Sequence, residues 1–245
     1  MTVGPRTDQP LGLAARPPLA LVLVSFAVAT WITLDLIFEG PMSRLDEFVA
    51  DRVGAWGVRD DPIGYKVSWV ITQIGLQRGL ILIVFGVLIV YLAWTRRTLQ
   101  PLARTFAALV LISVAVYAFK IGLGRTAPEY PGGSFLFKGA LSYPSGHTAN
   151  AVLMWGLATW MAVYYGLPVR LQRTFAALLV FSPIASGGTM VLLNFHWITD
   201  LITGAAVGVI LLWLLYVIFD GPLGRWTGIS DTRSRRQRPT TSVPA

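Results

Sequence analysis

Six stretches of the sequence are apolar over most or all of the roughly 17 to 25 residues that a helix needs to cross about 30 Å of hydrocarbon. They run from Leu19 to Phe38, Leu80 to Trp94, Leu102 to Phe119, Thr148 to Tyr165, Phe175 to Leu193 and Trp197 to Phe219. Composition agrees, because 54% of the residues are hydrophobic and only 13% are charged, against about 25% charged in soluble domains. The sequence therefore predicts an all-α bundle of six transmembrane helices.

The region before the second stretch has open interpretations. Residues Val67 to Leu76 are largely apolar, so they either extend that span or form an interfacial or re-entrant helix beside charged and amide side chains. Between Glu39 and Lys66, apolar residues recur at helical spacing, which predicts an amphipathic outer helix, with a solvated loop as the alternative. These apolar residues are Leu45, Phe48, Val49, Val53 and Trp56.

The basic residues indicate topology. A net charge of +8 would suggest a nucleic-acid partner in a soluble protein, but Lys and Arg fall mostly in alternate segments between the spans. By the positive-inside rule, both termini are cytoplasmic, and no nucleic acid is expected. The basic segments contain Arg6 and Arg16, then Arg96, Arg97 and Arg104, then Arg170 and Arg173, and finally Arg225, Arg233, Arg235, Arg236 and Arg238.

The sequence divides into three parts. Residues 1–17 form a cytoplasmic N-terminus, 18–220 a transmembrane domain, and 221–245 a basic cytoplasmic tail with too little apolar surface to fold. Ala27-Val28-Ala29 imitates a signal-peptidase site, but the apolar stretch continues to Phe38, which favours a retained span. Cysteine is absent, which excludes disulfides and thiol chemistry. We expect an integral protein of the plasma membrane; its oligomeric state is left open.

The chain has two histidines, His147 and His196, and both lie at predicted outer ends of membrane helices. Ionisable groups at membrane depth are usually functional, although a histidine near an interface can also be a solvated end residue. In Pro144-Ser145-Gly146-His147, Ser145 is suited to cap the following helix and Gly146 allows close approach of a ligand. Free N–H groups at a helix start favour anions, so this segment predicts an anion site; a simple helix cap is the alternative.

His196 and Asp200 are four residues apart at the start of the last span, so they share one helix face. A carboxylate placed there holds the imidazole tautomer and stabilises its positive form. The alternative is a local pair that only satisfies two polar groups. Three cations follow the third span: Lys120, Arg125 and Lys138. Their positive charge is suited to binding phosphoryl oxygens. The alternative is that their side chains extend to the membrane interface or contact lipid headgroups, and this alternative is favoured for Lys138.

These residues resemble the type 2 phosphatidate phosphatase family, over about residues 18 to 219. The family carries Lys-x6-Arg-Pro, Pro-Ser-Gly-His and Ser-Arg-x5-His-x3-Asp. This chain has Lys120 to Pro128, then Pro144 to His147, then Thr189 to Asp200, in the same order and spacing. The resemblance implies a metal-independent enzyme without cofactor that acts on a lipid phosphate at the extracytoplasmic face.

The resemblance also implies roles for individual residues. His196 would be the nucleophile that forms a phosphohistidine, Asp200 would orient it, and His147 would protonate the leaving oxygen. Lys120, Ser145 and the Gly146 amide would bind the phosphoryl oxygens.

Two positions depart from the family pattern. Ala127 and Met190 stand where the family has arginines that would bind phosphate in bidentate fashion. Arg125 is two residues before Ala127 and is predicted to compensate for part of this loss as a phosphate ligand. No comparable residue lies near Met190.

Four functions are therefore compared. A lipid phosphatase is favoured. The nearest alternative is a phosphotransferase similar to sphingomyelin synthases, because the loss of arginines weakens binding of a doubly charged phosphate monoester more than binding of a singly charged diester. A non-catalytic transporter or scaffold is the third. A hydrolase centred on Ser145 ranks last. Aromatic residues near the span ends, including Trp31, Trp94, Tyr164, Tyr165 and Trp197, are interpreted as interfacial anchors.

Overall fold

A computed structural model describes residues 16–72, 78–130 and 140–221, and within these ranges the regular structure is helical. The predicted tail beyond residue 221, the first 15 residues, and Gln73, Gln77 and Lys138 lie outside the described residues. The helices are α1 (Leu19–Ile37), α2 (Pro41–Gly54), α3 (Pro62–Val70), α4 (Arg78–Arg96), α5 (Gln100–Leu123), α6 (Gly146–Tyr164), α7 (Val169–Leu192) and α8 (Ile198–Phe219).

Each of the six predicted spans coincides with a helix, which confirms the all-α prediction. Among the described helices, α1, α4, α5, α7 and α8 are long and apolar enough to cross a membrane. Helix α6 is 19 residues long but is not among them. Its first turns carry His147 and Asn150, which lower its hydropathy. The count of six spans therefore remains a prediction.

Helix α6 occupies the centre of the bundle. It packs most extensively against α7 and α8, and α5 also contacts it. Leu153, Trp155 and Leu157 are fully buried, as are most side chains of this helix. Because protein surrounds α6 where lipid surrounds the outer helices, polar residues are tolerated at its start. The helix that carries His147 is thus held rigidly by its neighbours.

Two glycines allow α8 to approach α6 closely. A Cβ atom at Gly204 would lie 2.5 Å from the Ser145 carbonyl oxygen, and one at Gly208 would lie 2.8 Å from that of Ala149. Real Cβ atoms do not come this close to a backbone oxygen, so any larger residue would push the helices apart. Spaced four residues apart, the glycines form the small-residue contact that brings membrane helices together. This contact lies directly below the start of α6.

The outer segment between the first two spans contains helices, as one of the two interpretations predicted. Helix α2 is amphipathic, but its apolar residues Leu45 and Phe48 are 42% and 56% exposed, and Trp56, which follows the helix, is 68% exposed. The face that packs against the bundle carries Asp46, Ala50 and Val53 instead. Helix α3 ends at Val70, and because residues 73–77 lie outside the described part of the chain, both interpretations of residues 67–76 stay predictions.

The aromatic residues near the span ends fall into two groups. Trp31 and Trp94 are 64% and 84% exposed, in agreement with interfacial anchors. Trp197 is 5% exposed and Tyr165 is 9% exposed, so for these two residues the prediction is wrong. The Trp197 indole N–H donates to the Thr126 carbonyl at 2.6 Å, inside the region that also holds the two histidines.

Candidate active site

The ends of three helices meet at one end of the bundle. Lys120 lies in the last turn of α5, His147 in the first turn of α6, and His196 two residues before α8. The imidazole rings of His147 and His196 have their centroids 6.4 Å apart, with an angle of 68° between the ring planes. One tetrahedral phosphorus centre fits between groups at this separation, so the fold brings the two histidines together at one site.

The start of α6 has the predicted cap. The Ser145 hydroxyl oxygen accepts a hydrogen bond from the Thr148 N–H at 3.4 Å, and Ser145 is fully buried. The Ser145 N–H donates to the Asp200 carbonyl at 2.9 Å, which joins the second motif directly to the third. The structure thus turns the Ser145 hydroxyl into the helix, while Gly146 borders the cavity beside His147.

His196 is oriented by Asp200, as the spacing of four residues predicted. The His196 Nδ1 lies 3.1 Å from Asp200 Oδ2. The same carboxylate oxygen accepts from the Trp197 N–H at 3.1 Å and from the Ser142 hydroxyl at 2.5 Å. Because an Nδ1–H that donates to a carboxylate leaves the other nitrogen without a proton, Nε2 carries a lone pair. Nε2 is the nitrogen of the ring that does not contact Asp200.

Arg125 lies behind this pair and not in the cavity. Its Nη1 donates to Asp200 Oδ1 at 2.6 Å and to the Thr199 hydroxyl at 2.8 Å, and the Arg125 side chain is fully buried. The guanidinium carbon lies 5.1 Å from the centre of the Trp197 ring. The predicted direct contact with phosphate is not found, because acceptors of the protein occupy its terminal nitrogens. Arg125 instead positions the carboxylate that orients His196.

Local backbone geometry explains why Arg125 points inward. Gly124 has a φ angle of 59° and ends α5 in the left-handed conformation, which glycine adopts without strain. Its N–H donates to the Lys120 carbonyl at 3.0 Å. The chain then turns back over the bundle, and the Arg125 carbonyl accepts from the Ser142 N–H at 2.9 Å. The residue after this turn is thereby directed toward α8.

Asp46 of α2 is part of the same network, although the sequence analysis assigned it no role in the site. Its Oδ2 accepts from Arg125 Nη2 at 2.6 Å and from the Thr199 hydroxyl at 2.5 Å, and its Oδ1 accepts from the Thr199 N–H at 3.0 Å. Burial raises the pKa of the Asp46 carboxyl, while Arg125 and Thr199 act in the opposite direction. The one available signal was its place on the α2 face with Ala50 and Val53, which borders the apolar face.

Two carboxylates and one guanidinium form the buried network behind His196. With both carboxylates ionised, Asp46 and Asp200 outnumber the guanidinium of Arg125 by one charge. Charges interact strongly in a site of low dielectric constant. Of the two carboxylates, Asp200 lies against the His196 ring, at 3.1 Å from Nδ1.

A cavity of about 460 Å³ lies between α4, α5 and α6 in front of the histidines. At its outer end it is bordered by Lys120, Gly146, His147 and His196, and apolar side chains line most of the remainder. The Lys120 ammonium also donates to the Leu141 carbonyl, at the cavity rim. Lys120 is the only lysine or arginine among the described residues that line it. Met190 is buried, and neither it nor Ala127 borders the cavity.

Over residues 16–72, 78–130 and 140–221, no three His, Asp or Glu side chains are grouped as a metal site requires.

Comparison with known proteins identifies the family. The sequence model of the PAP2 superfamily matches residues 101–222, about half of the chain, and this range contains all three motifs. The fold is similar to the crystal structure of a transmembrane PAP2-type phosphatidylglycerolphosphate phosphatase from Bacillus subtilis, with a TM-score of 0.60 and 18% sequence identity. The alignment covers 88% of this chain and 98% of that one. No curated protein sequence matched significantly. The chain thus belongs to the PAP2 superfamily, the family of membrane phosphatases that its motifs resemble.

Proposed function

We propose that the protein hydrolyses a phosphate or pyrophosphate ester of a lipid at the extracytoplasmic face, through a phosphohistidine intermediate. The observation that carries this proposal is the placement of His147 and His196, 6.4 Å apart, at the polar end of an otherwise apolar cavity. Membership of the PAP2 superfamily supports phosphatase chemistry. The buried network behind His196 supports its role as nucleophile.

In the first step, the Nε2 lone pair of His196 attacks phosphorus and forms a P–N bond. The bond between phosphorus and the oxygen of the lipid breaks, and His147 donates a proton to that oxygen. Asp200, at 3.1 Å from Nδ1, stabilises the positive imidazole that results. Lys120 and the N–H groups at the start of α6 stabilise charge on the phosphoryl oxygens. The alcohol form of the lipid leaves.

In the second step, His147 accepts a proton from a water molecule that attacks the phosphohistidine. The new P–O bond forms as the P–N bond breaks, which regenerates His196 and releases inorganic phosphate. One group thus acts as acid and then as base, as required when two successive displacements occur at the same phosphorus atom.

The surroundings of the cavity favour a lipid substrate. Ile81 and Leu82 of α4, together with Ile112 and Val116 of α5, border the cavity below the histidines. A hydrocarbon chain attached to a phosphate at His196 would lie against these side chains. Because α4 and α5 are both candidate membrane spans, such a substrate would enter from the bilayer.

The test distinguishes the roles of the two histidines by changing the leaving group of the substrate. With an alkyl phosphate, His196→Ala and His147→Ala should both abolish phosphate release. With an aryl phosphate, whose phenolate leaves without a proton, His147→Ala should still release one equivalent of phenolate and accumulate labelled protein, whereas His196→Ala should do neither. Wild-type turnover in purified, folded His196→Ala protein would refute the mechanism.

A phosphotransferase is the second candidate. The supporting observation is that Lys120 is the only lysine or arginine among the described residues that line the cavity, which suits a singly charged diester better than a monoester. In that case the phosphoryl group, or a group attached through it, passes to an alcohol in place of water. Release of inorganic phosphate in the presence of a lipid alcohol such as diacylglycerol distinguishes the two reactions.

A further inference from the structure

The cavity continues well below the histidines along one face of α5. That face consists of Leu109, Ile112, Ser113, Val116, Tyr117 and Lys120. From Lys120 to Leu109 the helix descends by 11 residues, or about 16 Å at 1.5 Å per residue. The cavity therefore has room for much more of a substrate than its phosphate.

Two polar side chains interrupt the apolar lining at defined depths. Asn150 lies one turn after His147 on α6, about 4.5 Å farther along the helix axis. Ser113 lies seven residues before Lys120 on α5, about 10 Å below it. Asn150 is half-buried and Ser113 is exposed toward the cavity. In the part of the chain that the structure describes, neither side chain has a hydrogen-bond partner.

Unpaired amide and hydroxyl groups are unfavourable in a hydrocarbon environment and mark substrate pathways in membrane proteins. Both groups are hydrogen-bond donors, so the matching ligand carries acceptors at the same depths. In a glycerol phospholipid, ester carbonyls follow the phosphate through the short glycerol unit. In a polyprenyl phosphate, the hydrocarbon chain follows the phosphate at once and offers no acceptor.

We propose that Asn150 and Ser113 form a subsite for the ester groups of a glycerol-based lipid phosphate, whose phosphate lies between His147 and His196. Asn150 donates to the ester nearer the phosphate and Ser113 to a deeper one. This inference rests on the proposed function, and it adds the substrate class: a diacylglycerol phosphate is preferred over a polyprenyl phosphate.

The experiment compares three lipids in mixed micelles: dioleoyl phosphatidate, its dialkyl ether analogue without carbonyl groups, and farnesyl phosphate. Wild-type protein should show a kcat/KM about tenfold higher for the diacyl lipid than for the ether, the value of one hydrogen bond. Asn150→Leu should remove most of this preference and leave farnesyl phosphate turnover unchanged. Ser113→Ala should reduce the ratio in part.

Thr159→Val is the matched control, because Thr159 lies on the same helix and its hydroxyl donates to the Trp155 carbonyl of that helix at 2.8 Å. It should retain the wild-type ratio. Equal turnover of diacyl and ether lipids by wild-type protein would overturn the subsite. An equal loss on all three lipids in Asn150→Leu would also overturn it, because that result indicates a structural role.

A binding measurement tests the subsite independently of the proposed hydrolysis. The diacyl and ether lipids are titrated into His196→Ala protein and into the His196→Ala, Asn150→Leu double variant. Preference for the diacyl lipid that disappears in the double variant supports the subsite, even if wild-type protein releases no phosphate and the proposed hydrolysis is rejected. Equal binding of both lipids to His196→Ala protein overturns the subsite, whatever the turnover.

Discussion

Replacement of Asp46 by Asn tests the buried network behind the nucleophile. The change preserves the shape of the side chain but removes the negative charge that faces Arg125 at 2.6 Å. One oxygen of Asp46 accepts from Arg125 and Thr199 together, and the other accepts from the Thr199 N–H, so an amide NH2 group must face a donor in either orientation.

The expected effect follows from burial. Asp46 is 1% exposed and Arg125 is fully buried, and removal of one partner from such a pair costs about 3 to 5 kcal/mol. Arg125 keeps its bond to Asp200, so we expect the lower end, about 3 kcal/mol of the free energy of unfolding. Arg125 then neutralises Asp200 alone, which weakens stabilisation of positive charge on His196, and kcat should fall about tenfold or more.

The assay combines denaturant unfolding of purified protein in detergent with phosphate release at saturating substrate. Asp51→Asn is the matched control, since it makes the same chemical change on the exposed side of α2 and should change neither quantity. If Asp46→Asn unfolds like wild-type protein and keeps its kcat, then Asp46 does not support the site through Arg125.

Two further substitutions probe the same framework. Arg125→Lys should lower kcat more than it raises KM, because an ammonium cannot bind Asp46 and Asp200 together. A large rise in KM with unchanged kcat would instead indicate that Arg125 binds the phosphate directly. Gly204→Val should lower both stability and turnover, by about 1 to 3 kcal/mol of unfolding free energy, because its Cβ would meet the Ser145 carbonyl at 2.5 Å. Gly122→Val, where a Cβ meets no neighbouring atom, is its control, and equal unfolding of the two variants would contradict the proposed packing.

Much of the fold could be predicted because membrane helices leave strong local signals. Apolar length located all six helices to within a few residues, except that α7 begins six residues before its predicted start. The cap at Ser145 and the pairing of His196 with Asp200 were also predictable, since both depend on residues within one helical turn. The amphipathic helix α2 was recognisable from its periodicity, but periodicity does not reveal which neighbour its polar face contacts.

Sequence alone determined the membrane class, the helices, the two histidines and the local geometry around each, because these depend on nearby residues and on the thickness of the bilayer. Only the tertiary structure decided that Arg125 turns away from the cavity, that Asp46 contacts Arg125, and that Asn150 and Ser113 line the same cavity. Contacts of this kind join residues up to 153 positions apart in the chain. They arise when helices pack, and no local pattern encodes which buried charge will meet which partner.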